Sequence, residues 1–321
     1  MLSGCGTALV TPFRESGEVD EPSLRSLVEW QIRQGVDFLV PAGSTGEAAT
    51  LAADEHERVV AITVDQVGGR VPVVGGAGSN NTVEAIDLSL RIASTGVTHL
   101  LHVSPPYNRP QQRGLIEHFS AVADAAPCPV VLYNVPGRTG GNIAAATTLA
   151  LAEHPNIVGI KEAGGDCDQV AEIARHRPAG FALLSGDDSL TVPFMALGAD
   201  GVISVVANAT PSAMAELVRA MARGDLPRAR ALHYRLADWM RVAFVESNPV
   251  PVKAALWMMG RAHPHVRLPL ASLAEPNRKA VAAAVRAAGG RLPAGRATRA
   301  GQGAGDRSGC APAPAESSRE P

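Results

Sequence analysis

The chain has 321 residues, a formal net charge of −2, and lysines and arginines scattered along its length. This length can hold one large domain or two small ones with a sizeable core, and the charge pattern offers no basic surface for nucleic acid. No apolar run is long enough for a membrane span, and the N-terminus lacks a secretory pattern. The cysteines show no metal-ligand spacing and are typical of free thiols in a reducing cytoplasm. They are Cys5, Cys128, Cys167 and Cys310.

Short apolar runs alternate with helical patterns along the first 224 residues and predict eight strands. The predicted strands are 6–11, 38–40, 72–75, 99–103, 130–133, 157–161, 182–185 and 201–204. The predicted helices are 24–34, 54–67, 82–95, 114–125, 143–153, one starting near 168, 189–197 and 211–223. Ser23 is the expected N-cap of the first helix, and Gly35 follows its end.

Eight strands alternating with helices over roughly 220 residues predict an α/β fold, a (β/α)₈ TIM barrel, over residues 1–224. A doubly wound sheet is the alternative. It fits less well because glycine- and hydroxyl-rich loops follow nearly every strand, and no dinucleotide-binding glycine fingerprint opens the first helix. Helical patterns at 226–244, 252–259 and 276–288 predict a C-terminal helical region over 225–290. Residues 291–321 lack periodicity and are expected to form a disordered tail.

Reactive side chains end two consecutive predicted strands, Tyr133 the fifth and Lys161 the sixth. Because the carboxyl ends of parallel strands meet at one edge, both should lie at the barrel mouth. A partly desolvated lysine can attack a carbonyl group, and a nearby tyrosine can move protons. Arg138 follows a Pro-Gly turn at the same rim and could hold a carboxylate. Taken singly, each residue also fits a purely structural role.

The loop Gly43–Glu47 follows the second strand, and Ser44 and Thr45 give it hydroxyls and amides that suit a small carboxylate. A structural glycine turn would explain the same pattern. Tyr107 lies in a proline-rich loop whose freedom is restricted, so its ring is either directed at a ligand or packed on its own barrel.

Candidate metal ligands are few. His99 and His102 have an odd offset on one strand, so they should face opposite sides and not form a metal pair. Asp187 and Asp188 could bind a cation, but a helix N-terminal cap is the favoured interpretation. We therefore predict no metal site.

Residues 3 to 290 closely resemble the dihydrodipicolinate synthase branch of the pyruvate-dependent class I aldolase family, which also contains N-acetylneuraminate lyase. The resemblance implies a TIM barrel that uses no cofactor and assembles in the cytoplasm as a homotetramer, a dimer of tight dimers. The matching motifs are Gly43–Glu47, Tyr133–Gly140, Gly159–Ala163, Leu184–Asp187, Gly201–Ser204 and Asn248–Lys253.

The resemblance also implies a reaction, in which Lys161 forms a Schiff base with pyruvate and the enamine attacks L-aspartate 4-semialdehyde. It implies that Tyr133 carries protons together with Ser44 and with Tyr107 from a neighbouring subunit. The family usually has threonine where Ser44 stands; since the hydroxyl is kept, we expect activity to be retained. The implied substrate-binding residues are Thr45 for the pyruvate carboxylate, Arg138 for the semialdehyde carboxylate, and Gly186 and Ile203 in the pyruvate pocket.

Regulated relatives bind L-lysine in a cleft at the tight-dimer interface, and His56, Asn80 and Glu84 match residues of that cleft. Other positions differ: Ala48 and Ala53 replace usual polar groups, and Pro106 replaces an aromatic ring. Lost polar partners weaken binding of a zwitterion, so we expect feedback inhibition to be weak or absent.

Three alternatives remain open at this point. The first is another aldolase of the same family, acting on a sugar acid or another 2-oxo acid, which Arg138 argues against only by analogy. The second is a non-catalytic barrel that binds 2-oxo acids. The third is a pyridoxal enzyme, which also uses a Schiff-base lysine but would show visible absorbance.

Overall fold

The structure, a computed structural model, describes residues 1–293. Its eight strands are all parallel, in the order β2-β1-β8-β7-β6-β5-β4-β3, and a bridge from Leu39 to Val73 joins the two ends of this order. The sheet therefore closes into a barrel, which confirms the predicted fold and excludes a doubly wound sheet. The strands are β1 Gly4–Ala8, β2 Phe38–Val40, β3 Val74–Gly76, β4 His99–Val103, β5 Val130–Asn134, β6 Ile157–Glu162, β7 Ala182–Ser185 and β8 Gly201–Ser204.

The eight predicted barrel helices and the three predicted C-terminal helices are present in the described chain, and the four-residue α5 is an additional helix that was not predicted. They are α1 Glu21–Arg33, α2 Ala53–Val67, α3 Thr82–Ser94, α4 Gln112–Ala125, α5 Pro136–Thr139, α6 Ala145–Ala152, α7 Cys167–His176, α8 Thr191–Ala196, α9 Pro211–Ala222, α10 Leu226–Val242, α11 Val250–Met258 and α12 Glu275–Ala287. Short 3₁₀ turns occupy Ala48–Thr50 and Val206–Asn208.

Two predicted helix caps are wrong. Helix α1 is capped by Asp20 and not by Ser23, because the Asp20 carboxylate accepts the Ser23 N–H and the helix begins at Glu21. Asp187 does not cap α8, which begins only at Thr191 with Leu190 at the N-cap position, and neither does Asp188. The buried Asp188 carboxylate instead accepts the Ser204 hydroxyl and the N–H groups of Val205 and Val206. Burial raises the pKa of Asp188 to about 6.

The apolar core has two layers, because side chains alternate between the two sides of each strand. One layer fills the barrel and includes Val131, Tyr133 and Ile203, while the other lies between barrel and helices and includes Leu132 and Ile160. Tyr133 therefore points into the barrel. Lys161, its register partner on β6, occupies the matching inward position.

The C-terminal helices pack on the helical layer of the barrel through α10, which contacts α9. Helix α12 packs against both α10 and α11. The predicted tail, apart from residues 291–293, lies outside the described residues, as does Cys310. The three other cysteines are free thiols. Within residues 1–293, no helix is both long and apolar enough to cross a membrane, and no group of three or more His, Cys, Asp or Glu side chains could hold a metal ion.

Candidate active site

Lys161 and Tyr133 are register partners at the carboxyl ends of β6 and β5. The Lys161 Nζ atom lies 4.1 Å from the centre of the Tyr133 ring, and both residues are buried. The end of strand β6 thus places an amine at the mouth of a barrel, the end of the fold that carries active sites. An amine in this position can form an imine with a carbonyl compound, and the nearby phenol of Tyr133 can transfer protons.

Only three lysines occur in the whole sequence, which sharpens the assignment of a nucleophile. Lys253 is fully buried in an ion pair with Glu47, and Lys279 is an exposed residue of α12. Lys161 is the one that ends a barrel strand and faces the barrel interior.

The residues that follow Tyr133 and Lys161 face away from the barrel interior and bind each other. Asn134 Nδ2 donates to both oxygens of the Glu162 carboxylate at 3.0 and 2.9 Å, and Glu162 also accepts from Gln169 Nε2 at 2.9 Å. Burial raises the pKa of Glu162, partly opposed by these bonds. The network ties the ends of β5 and β6 together and so fixes the strand positions that carry the tyrosine and the lysine.

Gly186 lets the Lys161 side chain pack closely against the backbone of this segment. A Cβ atom built at this position would stand 3.0 Å from Lys161 Cε and 2.7 Å from the Ala163 side chain. Any larger residue would therefore press on the Lys161 side chain and displace it. Ile203 is fully buried in the apolar cluster inside the barrel.

The loop Gly43–Glu47 is a tight turn, in which the N–H groups of Gly46 and Glu47 bond back to the carbonyls of Gly43 and Ser44. Gly46 is required there, because a Cβ atom would lie 3.0 Å from the backbone of Ala42. The amides of Ser44 and Thr45 have no hydrogen-bond acceptor among residues 1–293. Two free amides in one turn can bind a carboxylate.

Thr45 and Arg138 are both linked to Asn248, a residue between α10 and α11. The Asn248 side-chain amide donates to Thr45 Oγ1 at 2.9 Å, which leaves the threonine proton free for a ligand. The guanidinium of Arg138 donates to the Asn248 carbonyl at 3.4 Å and is otherwise exposed. Arg138 can therefore turn toward an incoming anion.

A cavity of about 1000 Å³ opens at this end of the barrel. Its wall includes Tyr133, Ser44 and Arg138, and it extends to His56 and Glu84. The structure thus brings Tyr133, Ser44, Arg138 and part of the predicted inhibitor site to one cavity, and Lys161 reaches it through Tyr133, whose ring centre is 4.1 Å from the lysine nitrogen. His56 is buried, its Nε2 atom is 2.8 Å from the Gly76 carbonyl, and burial lowers its pKa.

Six predicted residues are not part of this cavity wall: Lys161, Thr45, Gly186, Ile203, Tyr107 and Asn80. Tyr107 is 91% exposed and its backbone is in the left-handed region, with φ at 72°. It does not pack on its own barrel, so that alternative is wrong. Asn80 points to the neighbouring loop, where its side chain donates to the Pro106 carbonyl at 3.2 Å.

Sequence reasoning missed the buried contacts of Glu47, Lys253 and Asn248, to which it gave no role. A lysine inside the otherwise apolar helix α11 was the available signal, since a buried cation requires a partner. The partner could not be identified from the sequence, because Glu47 is 206 residues away.

A closed (β/α)₈ barrel with an interior lysine beside a tyrosine has the geometry of a Schiff-base aldolase. The chain belongs to the dihydrodipicolinate synthetase family, whose sequence profile matches residues 1–288. It is 50% identical over 278 residues to the 4-hydroxy-tetrahydrodipicolinate synthase of Koribacter versatilis, covering 86% of this chain and 93% of the relative.

Solved structures of 4-hydroxy-tetrahydrodipicolinate synthases are similar to this chain in fold as well as in sequence. The 4-hydroxy-tetrahydrodipicolinate synthase of Methylacidiphilum fumariolicum superimposes with a TM-score of 0.88 at 43% identity, over 90% of this chain and 96% of that one. The dihydrodipicolinate synthase of Acinetobacter baumannii, solved in complex with pyruvate, gives 0.88 at 42% identity over 90% and 99%.

Proposed function

We propose that this chain condenses pyruvate with L-aspartate 4-semialdehyde to give 4-hydroxy-tetrahydrodipicolinate, a step of lysine and diaminopimelate biosynthesis. The observation that carries the proposal is the pairing of Lys161 with Tyr133 at the carboxyl ends of β6 and β5. The 50% identical relative and the pyruvate complex of a 42% identical one support the choice of substrates.

In the proposed reaction, the Lys161 amine attacks the ketone carbon of pyruvate, and loss of water gives an imine. Removal of a methyl proton turns the imine into an enamine, whose carbon attacks the aldehyde of the second substrate. The amine of that substrate then adds to the imine carbon, closes the ring and releases Lys161. Tyr133 carries the protons that these steps require, with the Ser44 hydroxyl at the cavity wall as its relay.

The two carboxylates would be held at separate places. The free amides of the Gly43–Glu47 turn and the Thr45 hydroxyl suit the carboxylate of pyruvate. Arg138, exposed at the rim, suits the carboxylate of the semialdehyde. Gly186 and Ile203 would shape the pocket around the pyruvate carbons.

We further propose a cytoplasmic homotetramer of two tight dimers, in which Tyr107 completes the site of the neighbouring subunit. This role is supported by the exposure of the ring, which is not part of the cavity wall of its own subunit. A strained backbone is expected where surrounding structure or a partner fixes a side chain for function. In this scheme residues 1–224 carry the reaction and residues 225–290 support them.

Binding of L-lysine is proposed to be weak. His56 and Glu84 line the cavity, but Ala48, Ala53 and Pro106 line it too, without side-chain hydrogen-bond donors or acceptors. A zwitterion placed there would lose water without gaining partners of equal strength.

The test is a turnover assay with pyruvate and L-aspartate 4-semialdehyde, coupled to the following reductase and monitored by loss of NADPH. Turnover that disappears in Lys161→Ala supports the proposal. If the protein traps pyruvate under borohydride but does not turn over, the aldehyde is a different one and the reaction is that of another aldolase of this family. If it neither traps nor turns over, a non-catalytic binding role is favoured.

A further inference from the structure

A buried ion pair joins the C-terminal helical region to the turn proposed to hold pyruvate. Lys253 of α11 is fully buried, and its Nζ atom donates to Glu47 Oε1 and to the His265 carbonyl, the latter at 2.9 Å. The Lys253 ammonium also lies 4.1 Å from the centre of the Phe13 ring. The second carboxylate oxygen of Glu47 accepts the Arg267 N–H at 3.0 Å.

Glu47 ends the turn that contains Ser44 and Thr45, and its backbone is left-handed, with φ at 56°. A non-glycine residue adopts this conformation only where its surroundings hold it there. Lys253 and Arg267 hold the Glu47 carboxylate, whereas Thr11 and Asn248 bond to other residues of the turn, the Gly46 carbonyl and Thr45 Oγ1.

The charge of Glu47 also matters for the neighbouring site. A buried carboxylate two residues from Thr45 would repel an anion bound at the free amides of the turn, since interactions between charges are strong away from water. The Lys253 cation cancels this charge. Burial lowers the pKa of Lys253 to about 8, and the Glu47 carboxylate opposes that shift.

We propose that Lys253 is a positioning residue for the reaction: by pairing with Glu47 it fixes the Gly43–Glu47 turn and neutralises the charge beside the pyruvate carboxylate. The inference rests on the proposed function, since it takes the turn to be the carboxylate site. It gives α11 a role in substrate affinity without any contact with substrate.

The experiment uses the full-length enzyme and measures the pyruvate concentration that gives half-maximal borohydride trapping on Lys161, together with KM and kcat. Lys253→Met is expected to raise the half-saturating pyruvate concentration about tenfold or more, because it leaves an unpaired buried carboxylate next to the anion. The value of kcat should change much less. The double variant Lys253→Met/Glu47→Gln removes both charges and should recover most of the lost affinity.

Arg177→Met is the matched control. It breaks another largely buried ion pair, with Asp200, but at the amino ends of β7 and β8, the face opposite the site. This control should lower the melting temperature while leaving the half-saturating pyruvate concentration within about twofold of wild type, as expected for distant sites.

The outcomes separate the two proposals. Wild-type protein that traps no pyruvate would contradict the proposed function itself. Wild-type protein that traps pyruvate, with Lys253→Met unchanged in half-saturation, would overturn the role of Lys253 alone. If Lys253→Met does not fold, the double variant decides, because loss of two balanced charges is tolerated better than loss of one. If the double variant folds but binds pyruvate as weakly as expected for Lys253→Met, the charge argument is overturned.

Discussion

Tyr133 and Lys161 face each other across two neighbouring parallel strands, with the lysine nitrogen 4.1 Å from the centre of the tyrosine ring. The pairing register of β5 and β6 sets this distance, and the Asn134–Glu162 hydrogen bonds next in register reinforce it. Because strand register moves in whole residues, the two groups cannot drift apart without a change in the sheet. The chemistry proposed for this protein depends on that relationship.

Replacing Tyr133 by phenylalanine removes the phenol and keeps the ring that packs in the barrel. We expect kcat to fall by about 10²- to 10⁴-fold, the usual contribution of a proton-transferring group, with a smaller change in KM for pyruvate. Steady-state kinetics and thermal melting check this together. A variant with kcat near wild type would show that protons take another route.

The proposed exchange of Tyr107 between subunits predicts complementation. Lys161→Ala and Tyr107→Phe should each be nearly inactive when purified alone. Co-expressed with different affinity tags and purified through both, they form mixed oligomers in which one site combines an intact Lys161 with an intact Tyr107 from the other chain. We expect activity to reappear in the mixed species. Mixed oligomers no more active than the two parents would mean that Tyr107 acts within its own subunit or not at all.

The buried imidazole of His102 should make the stability of the folded protein depend on pH. It is fully buried, and its Nε2 atom donates to Ser89 Oγ, whose own proton goes to the Ala85 carbonyl. Burial lowers the pKa of His102 from 6.5 to about 3. The unfolded chain therefore takes up a proton on His102 that the folded chain does not. The free energy of unfolding consequently decreases as the pH falls below 6.5.

Because of this one histidine, the free energy of unfolding should fall by about 1.4 kcal/mol for each unit by which the pH is lowered between pH 6 and pH 4. Urea unfolding at several pH values measures it, with His102→Asn as the comparison because an amide can still donate to Ser89. Carboxylates contribute equally to both proteins and cancel in the difference. Equal slopes for the two proteins would contradict the assignment of a neutral buried imidazole.

Inhibition by L-lysine should be weak or absent, because the cavity wall near His56 carries alanines and a proline where binding groups would be needed. Initial rates with rising L-lysine at fixed, subsaturating pyruvate test this. An inhibition constant in the low-micromolar range would contradict it.

Much of this architecture follows from local sequence. Four strands, β2, β4, β7 and β8, have the predicted bounds, because short β-branched or apolar runs between turn residues leave little choice. The predicted first strand, 6–11, ends three residues beyond β1, because the apolar run continues past Ala8 into the loop before Pro12. The cap of α1 was misplaced for a similar reason: Asp20 and Ser23 both fit, and only the observed backbone distinguishes them.

The parts that were not predicted depend on distant contacts. The role of Asp188 depends on Ser204, and the links of Glu47 to Lys253 and of Thr45 to Asn248 span the barrel and the helical region. Such pairs leave no local periodicity in the sequence. Motifs could indicate that these residues matter, but only the fold shows what each one touches.

Lys161 is proposed to form a Schiff base with pyruvate, and reductive trapping would detect this bond on the protein itself. Protein incubated with pyruvate and sodium borohydride is digested and mapped by mass spectrometry. With only three lysines in the sequence, the modified site can be assigned without ambiguity. We expect the mass of one reduced pyruvate on Lys161 and none in Lys161→Ala. Modification of Lys253 or Lys279 instead, or no modification, would rule out Lys161 as the nucleophile.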